Sequence, residues 1–197
     1  LQNPQINLIK QELSAEKDAD CLEETLLPKI TEIVHKYEPD VEVFIEQQQK
    51  MYYIALKGLN CAHCAEKIAE LCDGLDVQKA YVLGLLHDIG RKFGVRHLGH
   101  VSDGYTYMMS LGYDEVAKIC LTHSFPNQSI KEYIGKFDTS DEELEMICVT
   151  LAQVVIDDYD RLIQLCDSLA GSEGVLDIEE RMNDVKRRYG YYPQEKW

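Results

Sequence analysis

The chain has 197 residues, 45% of them hydrophobic, which is enough for one ordinary domain with a real core and excludes wholesale disorder. Its formal net charge is −15, from 35 acidic and 20 basic side chains. This balance argues against a nucleic-acid polymer or an anionic membrane surface as the main partner. A small anionic substrate is compatible with it, provided that positive charge is concentrated locally or supplied by a metal ion.

Cysteine content and hydropathy predict a cytoplasmic protein. The seven cysteines are an odd number, and without a signal-like start they suggest reduced thiols. No apolar run approaches the roughly 18 residues of a membrane span. We expect residues 189–197, with adjacent Tyr191 and Tyr192, to pack back on the domain or to form an interface in a homo-oligomer.

Residues 1–56 form an acidic N-terminal segment whose fold the pattern leaves uncertain. Within it, residues 26–37 have the apolar spacing of a helix, and Pro39 lies in the segment that would end it. Residues 41–44 and 51–56 have short strand-like character. The segment is therefore expected to contain a helix and possible strands.

Residues 57–197 read as a separate all-α domain, because one helical pattern follows another and no strand candidate of comparable strength occurs. Helix-ending glycines and capping residues separate the patterns, including a T-x-x-E capping box at Thr139 and Glu142. The predicted helices cover residues 60–71, 77–88, 100–111, 115–123, 139–155, 158–170 and 177–189. The predicted fold class is mainly α.

Histidines and carboxylates near the predicted helix ends indicate a metal site. His87 and Asp88 end the most apolar helix, where a carboxylate beside an imidazole is costly unless it is paired or metal-bound. His100 begins a predicted helix and His123 ends one, and helix ends in a bundle can converge on one pocket. Imidazole and carboxylate ligands suit one or two divalent ions of Fe, Mn, Ni, Co or Zn.

The segments AYVLGLLHDIGRKFGVRHLGHVSDGYTYM, ICLTHSFP and YDRLIQLCDSLAGSEGVLDIEERMNDVKRRYG resemble a bacterial subgroup of the HD-domain phosphohydrolase superfamily, over about residues 64–197. The specific signal is the ordered set HDIGR, H-x-x-D-G-Y, T-H-S and L-C-D. The resemblance implies an HD-type helical bundle. It also implies a metal-dependent phosphohydrolase that uses a metal-held hydroxide to cleave a phosphate ester or anhydride of a nucleotide or small metabolite.

The resemblance further implies which residues bind the metal. In chain order these are His87, Asp88, His100, His123 and Asp167. Asp88 would bridge two ions, with His87 and Asp167 on one ion and His100 and His123 on the other. His97 is the alternative to His100, and Asp160 is the alternative to Asp167.

Two residues are expected to act in catalysis. Asp88 would hold the metal, and Arg91 would stabilise the charge that develops on the phosphoryl group. Arg96 is a further candidate for neutralising a substrate phosphate. The alternative for Arg91 is an ordinary cation at the end of a helix.

The chain departs from the family pattern at the first ligand position. The family has a His on the preceding helix, but the equivalent position here, 30 residues before His87, is Lys57. The nearest histidine, His63, lies six residues further on, about 240° around a helix. Either the helix is re-registered so that His63 serves, or the position lacks a ligand, which we favour. In the second case the chain could be a non-catalytic module that binds a metal or a nucleotide.

A second resemblance covers about residues 26–72. The segment MYYIALKGLNCAHCAEKIAEL is similar to the opening strand, G-L-x-C-x-x-C motif and helix of a heavy-metal-associated domain, and ITEIVHKYEPDVEV is similar to its closing helix and strand. This implies that Cys61 and Cys64 bind a soft ion such as Cu(I), Zn or Cd. The alternative is two buried thiols on one helix face.

Overall fold

A computed structural model of the chain describes residues 42–190. The chain divides into two compact units between Gln48 and Gln49, and the structure described below belongs almost entirely to the second. The predicted helix at residues 26–37 and the predicted packing of the tail beyond residue 190 lie outside the described residues. The predicted domain boundary at residues 56 and 57 stays a prediction.

The described residues form a helical bundle, as predicted. No strand occurs among residues 42–190, where a single β-bridge joins Ala170 and Val175. Short 3-10 helices follow the second and fourth α-helices, at Ile89–Phe93 and Ile130–Glu132. The α-helices are α1 Glu42–Ala69, α2 Val77–Leu86, α3 Gly99–Ser110, α4 Asp114–Thr122, α5 Asp141–Gln153, α6 Asp158–Leu169 and α7 Ile178–Tyr189. None of these helices has the length and apolar character that crossing a membrane requires.

The long first helix overturns two predictions. Residues 42–44 and 51–56 are not strands but belong to α1, which begins 18 residues before the predicted start at residue 60. No glycine or proline interrupts residues 42–57, and the sequence EQQQK at residues 46–50 favours a helix. The buried small residues at positions 58, 61, 62, 65 and 69 lie on one face of the second half of α1. Short apolar runs do not distinguish strand from helix by themselves. The helix also removes the strand that a heavy-metal-associated domain has before its cysteine motif.

Side-chain caps determine where several helices begin. Asp76 accepts a hydrogen bond from the Lys79 amide at 2.7 Å and caps α2. The capping box of α5 is formed by Ser140 and Glu143, one residue later than the predicted box at Thr139. Asp157 caps α6 in the same way. Each cap satisfies amide groups that the first turn of a helix leaves without intrahelical partners.

Two hydrophobic clusters hold the bundle together, and α4 contributes to both. Ile119 packs in a cluster with residues of α1, α2 and α6, while Leu121 packs with residues of α3 and α5. Helices α1 and α2 can approach closely because residue 84 is a glycine. A Cβ atom at this position would lie only 2.8 Å from the Cα of Ala62. The C-terminal ends of α2 and α4 lie close together, with the His87 and His123 rings 5.1 Å apart, and the first turn of α3 brings the His100 ring to 5.4 Å from that of His123.

Arg96 lies in the loop before α3 and connects this loop with α5 through a bidentate ion pair. Its guanidinium donates to both carboxylate oxygens of Glu143, at 2.8 and 2.9 Å, and to Asp103 at 2.8 Å. The hydrogen bonds from Arg96 lower the pKa of Glu143 to about 2. Arg96 is therefore held by protein carboxylates, which argues against its predicted role in neutralising a substrate phosphate.

We expect Glu143→Gln to lower the free energy of unfolding by about 2 kcal/mol near neutral pH, because charge-assisted hydrogen bonds are lost. A carboxylate with a lowered folded-state pKa stabilises the fold above its ordinary pKa, and this contribution disappears as pH falls toward the folded-state pKa. The difference from wild type should thus shrink between about pH 7 and about pH 3 in urea unfolding. Glu145→Gln, on the exposed face of α5, is the control. An equal difference at both pH values would contradict the prediction.

Candidate metal centre

The predicted metal ligands come together where helix ends meet. His87 follows α2, Asp88 lies in the next turn, His100 is in the first turn of α3, and His123 follows α4. Asp167 faces them from the last turns of α6. The pocket that they surround has a volume of about 250 Å³, and His87 lies just beneath it with 1% of its surface exposed. Its lining residues are Lys57, Asp88, Arg91, His97, His100, His123, Ser124, Tyr133, Ile134 and Asp167.

Three buried residues form a candidate metal-binding group. One ligand atom from each of Asp88, His100 and His123 lies within 4.8 Å of the other two. The Nε2 atoms of His100 and His123 lie 3.1 and 3.6 Å from Oδ1 of Asp88, and 3.3 Å from each other. A carboxylate and two imidazoles at these separations can bind one divalent transition-metal ion.

Backbone carbonyls determine which imidazole nitrogen faces the centre. Nδ1 of His100 contacts the carbonyl oxygen of His97, and Nδ1 of His123 lies 3.2 Å from that of Ile119. Because a carbonyl only accepts hydrogen bonds, each Nδ1 carries a proton, and in the neutral imidazole the Nε2 presents its lone pair. Burial lowers the pKa of His123 to about 3, so this imidazole is neutral.

The charge distribution of this group fits a cation. Two imidazole lone pairs point toward Oδ1 of Asp88, which is buried and accepts no hydrogen bond of acceptable geometry. Burial by itself would raise the pKa of Asp88, but the Arg91 guanidinium beside it holds this pKa well below its ordinary value. Three electron-pair donors converge here, with Arg91 Nη2 as a donor 3.5 Å from Nε2 of His100 but none among the described residues on Oδ1 of Asp88, and this arrangement is costly unless a positive ion lies between them. Asp88, His100 and His123 thus fit a metal ion.

In the other half of the predicted site, at His87 and Asp167, the ammonium group of Lys57 already supplies a positive charge. His87 turns Nδ1 toward the carbonyl of Gly84 at 2.6 Å, and its Nε2 lies 3.1 Å from Oδ1 of Asp167. The same Asp167 oxygen accepts a hydrogen bond from the ammonium group of Lys57 in a close ion pair. Burial would lower the pKa of Lys57, but the carboxylates of Asp167 and Asp88 raise it above its ordinary value. Lys57 therefore stays charged beside Asp167.

The structure also separates the alternatives that the sequence left open. Lys57 lines the pocket, whereas the side chain of His63 is 54% exposed and lies 3.4 Å from Glu66. Asp160 is fully buried but contacts Lys118 and not the pocket. His97 lines the pocket without joining the group of Asp88. The roles assigned to the individual ligands stay predictions.

Arg91 connects the metal-binding group to the rest of the pocket. Its Nε lies 2.9 Å from Oδ2 of Asp88, and its Nη1 donates to the carbonyl of Arg96 at 3.0 Å. Its Nη2 lies 3.5 Å from Nε2 of His100. The guanidinium is thus oriented by the same carboxylate that faces the candidate metal.

Sequence reasoning missed part of the pocket wall. Tyr133 and Ile134 line it from the segment after the second 3-10 helix. This segment has no periodic pattern, and no sequence signal would have placed it there. Ser124 also lines the pocket, and its only signal was that it follows His123.

The two cysteines of the C-x-x-C motif lie on α1 below the site. Cys61 is buried and Cys64 is half-buried, and a hydrogen bond with the Cys166 thiol lowers the pKa of Cys64 to about 7. Within residues 42–190, no cysteine belongs to a group of three potential metal ligands. Soft-metal binding by these two thiols stays a prediction.

Comparison with known proteins agrees with this geometry. A family model described as the HD domain matches residues 59–172, which is more than half of the chain. Searches of the curated proteins and of the solved structures gave no match. The matched residues include Asp88, His100 and His123, the candidate metal group at the helix ends. The chain therefore belongs to the HD-domain family, which places it in the superfamily of metal-dependent phosphohydrolases.

Proposed function

We propose that the chain is a metal-dependent phosphohydrolase that cleaves a phosphate ester or anhydride of a nucleotide or another small metabolite. The observation that carries this proposal is the convergence of Asp88, His100 and His123 on one point, in a pocket that cationic side chains also line. The residue types match the hydrolytic chemistry of the family. An ion bound there would lower the pKa of a water molecule and polarise a phosphoryl oxygen.

The protein residues of the pocket would position the substrate phosphate. Lys57 and Arg91 offset the carboxylates of Asp167 and Asp88 in a chain whose net charge is −15, so that the positive charge of a bound metal ion would be available to an anionic substrate. Arg91, oriented by Asp88, can donate two hydrogen bonds to phosphate oxygens. Since its orientation is provided before the substrate binds, little reorganisation is required as negative charge develops.

The dimensions of the pocket support a small organic phosphate. The metal pocket shares Lys57, Asp88 and Arg91 with an adjoining cavity of about 570 Å³. The walls of this cavity are partly apolar, with Ile54, Leu176 and Val185, and partly polar, with Tyr53, Arg181 and Arg188. Cavities of roughly 300–1,000 Å³ are typical for small-molecule ligands. The phosphate would lie near the metal and the organic group would extend into the larger cavity.

A substrate panel after metal exchange tests the proposal. The protein is stripped with EDTA, supplied with Mn²⁺, Co²⁺, Ni²⁺, Fe²⁺ or Zn²⁺, and assayed with nucleotides, phosphomonoesters and a generic phosphodiester. We expect turnover that EDTA abolishes and one of these ions restores. Asp88→Asn should reduce it by about 100-fold or more, since even residues that only orient ligands cost up to that amount.

Asp158→Asn removes an exposed carboxylate from the start of α6 and serves as the matched control, with unchanged turnover expected. Wild-type activity in Asp88→Asn, or turnover that survives complete removal of metal, would refute the proposed mechanism. Circular dichroism of both variants establishes that any loss is not due to unfolding.

The ion pair of Lys57 with Asp167 favours a second candidate, a non-catalytic module that binds a metal ion or a nucleotide. In that case a nucleotide would bind with measurable heat in calorimetry, while the complete panel of substrates and ions would show no turnover. Detectable metal-dependent turnover of any member of the panel would eliminate this candidate.

A further inference from the structure

We propose that Lys57 takes the place of one metal ion, so that the chain binds a single divalent ion, held by Asp88, His100 and His123. The other half of the site, at His87 and Asp167, uses the ammonium group of Lys57 as its cation. This inference rests on the metal-binding part of the proposed function and is independent of whether the chain hydrolyses a substrate.

The two carboxylate oxygens of Asp88 face different surroundings. Oδ1 lies 3.1 Å from Nε2 of His100 and 3.6 Å from Nε2 of His123, and Arg91 approaches this side with Nη2, 3.5 Å from Nε2 of His100. Oδ2 lies 2.9 Å from Arg91 and 3.8 Å from His87. Arg91 therefore contacts Oδ2 directly, whereas Oδ1 is buried, faces two imidazole nitrogens and accepts no hydrogen bond from residues 42–190.

Lys57 occupies the space that a second ion would need. Its ammonium group is in close contact with the same Asp167 oxygen that lies 3.1 Å from Nε2 of His87. An ion bound by His87 and Asp167 would have to touch that oxygen, and so would lie next to the ammonium group. The repulsion between a divalent ion and an ammonium group is twice that between two unit charges at the same distance.

The charges of the pocket disfavour a second ion. Lys57 and Arg91 already offset the carboxylates of Asp88 and Asp167, so each divalent ion adds two positive charges that the side chains lining the pocket do not compensate. A second ion would double this excess in a small, partly buried pocket, where unpaired charge is costly.

Packing prevents His63 from replacing Lys57. The backbone of α1 at Ala62 lies so close to Gly84 of α2 that a Cβ on Gly84 would be 2.8 Å from the Ala62 Cα. The rotation of roughly 240° that would exchange the two positions is therefore blocked. His63 stays on the surface, against Tyr81 with ring centroids 5.4 Å apart.

Counting bound ions tests the inference. Metal-free protein is dialysed against Mn²⁺ or Co²⁺, and bound metal is measured by mass spectrometry together with the electron paramagnetic resonance spectrum of Mn²⁺. We expect one ion per chain in wild type, with the signal of an isolated Mn²⁺. His100→Ala and His123→Ala should lose most of this ion, whereas Asp167→Asn should retain it.

Lys57→His supplies the missing imidazole and should raise the count toward two ions per chain, with the broadened signal of a coupled pair. Lys57→Met, which removes the charge without adding a ligand, should stay at one ion and is the matched control. Two ions in wild type, or loss of the ion in folded Asp167→Asn, would overturn the inference. One ion without turnover would refute only the hydrolytic function, whereas no bound ion in wild type would refute both. Circular dichroism establishes that each variant is folded.

Discussion

Replacing Gly90 with Ala is expected to lower the free energy of unfolding by about 3 kcal/mol, at the upper end of what overpacking usually costs. An added Cβ would overlap the carbonyl oxygen of His100 and would lie 2.5 Å from the amide nitrogen of Gly104. Both neighbours are backbone atoms of α3, so no side-chain rotation can relieve the contact. The turn carrying Asp88 and Arg91 would have to move away from His100.

Urea unfolding and metal counting together measure this effect. Gly90→Ala should show a lower midpoint and, in the folded fraction, weaker binding of Mn²⁺ or Co²⁺, because Asp88 and His100 separate. Gly58→Ala is the control, since its Cβ would meet the carbonyl of Leu85 at an ordinary distance of 3.5 Å. This control should match or slightly exceed wild-type stability, as alanine is favoured over glycine within a helix. Wild-type stability in Gly90→Ala would contradict the close approach of the two backbones.

Asp160→Ala is expected to cost about 3–5 kcal/mol of stability without changing the number of bound metal ions. The Asp160 carboxylate is fully buried and accepts hydrogen bonds from Thr122 at 2.6 Å and from the Asp157 amide at 2.8 Å. It also lies 2.8 Å from the ammonium group of Lys118. Removing it leaves the buried Thr122 hydroxyl and the Asp157 amide without their acceptor, and leaves Lys118 with Asp157 as its carboxylate partner. Unsatisfied groups of this kind make the loss of one partner from a buried pair strongly destabilising.

The positions of Asp160 and Asp167 on α6 explain why only the first is expected to matter mainly for stability. Asp160 and Asp167 lie on the same helix, but Asp160 joins α6 to α4 while Asp167 lines the pocket. Thermal unfolding should thus be strongly affected by Asp160→Ala and little by Asp158→Ala, an exposed neighbour. If folded Asp160→Ala protein bound less metal than wild type at saturating Mn²⁺, Asp160 would contribute to metal binding and the prediction would be wrong.

The sequence by itself determined the fold class, the family and the neighbourhood of the site. Helical spacing, capping residues and glycine stops predicted most helices after residue 76, because these signals act within a few residues along the chain. The ordered motifs around His87, His100 and His123 predicted the family correctly, and the family model matches residues 59–172. Residue chemistry was sufficient to predict a metal centre of imidazoles and carboxylates.

Only the tertiary structure decided which of the candidate residues meet. Residues 51–56 looked like a strand because a short run carries little periodicity, whereas in the structure they belong to the continuous helix α1. The choices between Lys57 and His63, and between Asp167 and Asp160, depend on which face of a helix turns toward the pocket. That rotation is set by close contacts between helices, such as the one at Gly84 and Ala62, which no local pattern encodes. For the same reason, the ion pair of Lys57 with Asp167 joins residues 110 positions apart and is visible only in three dimensions.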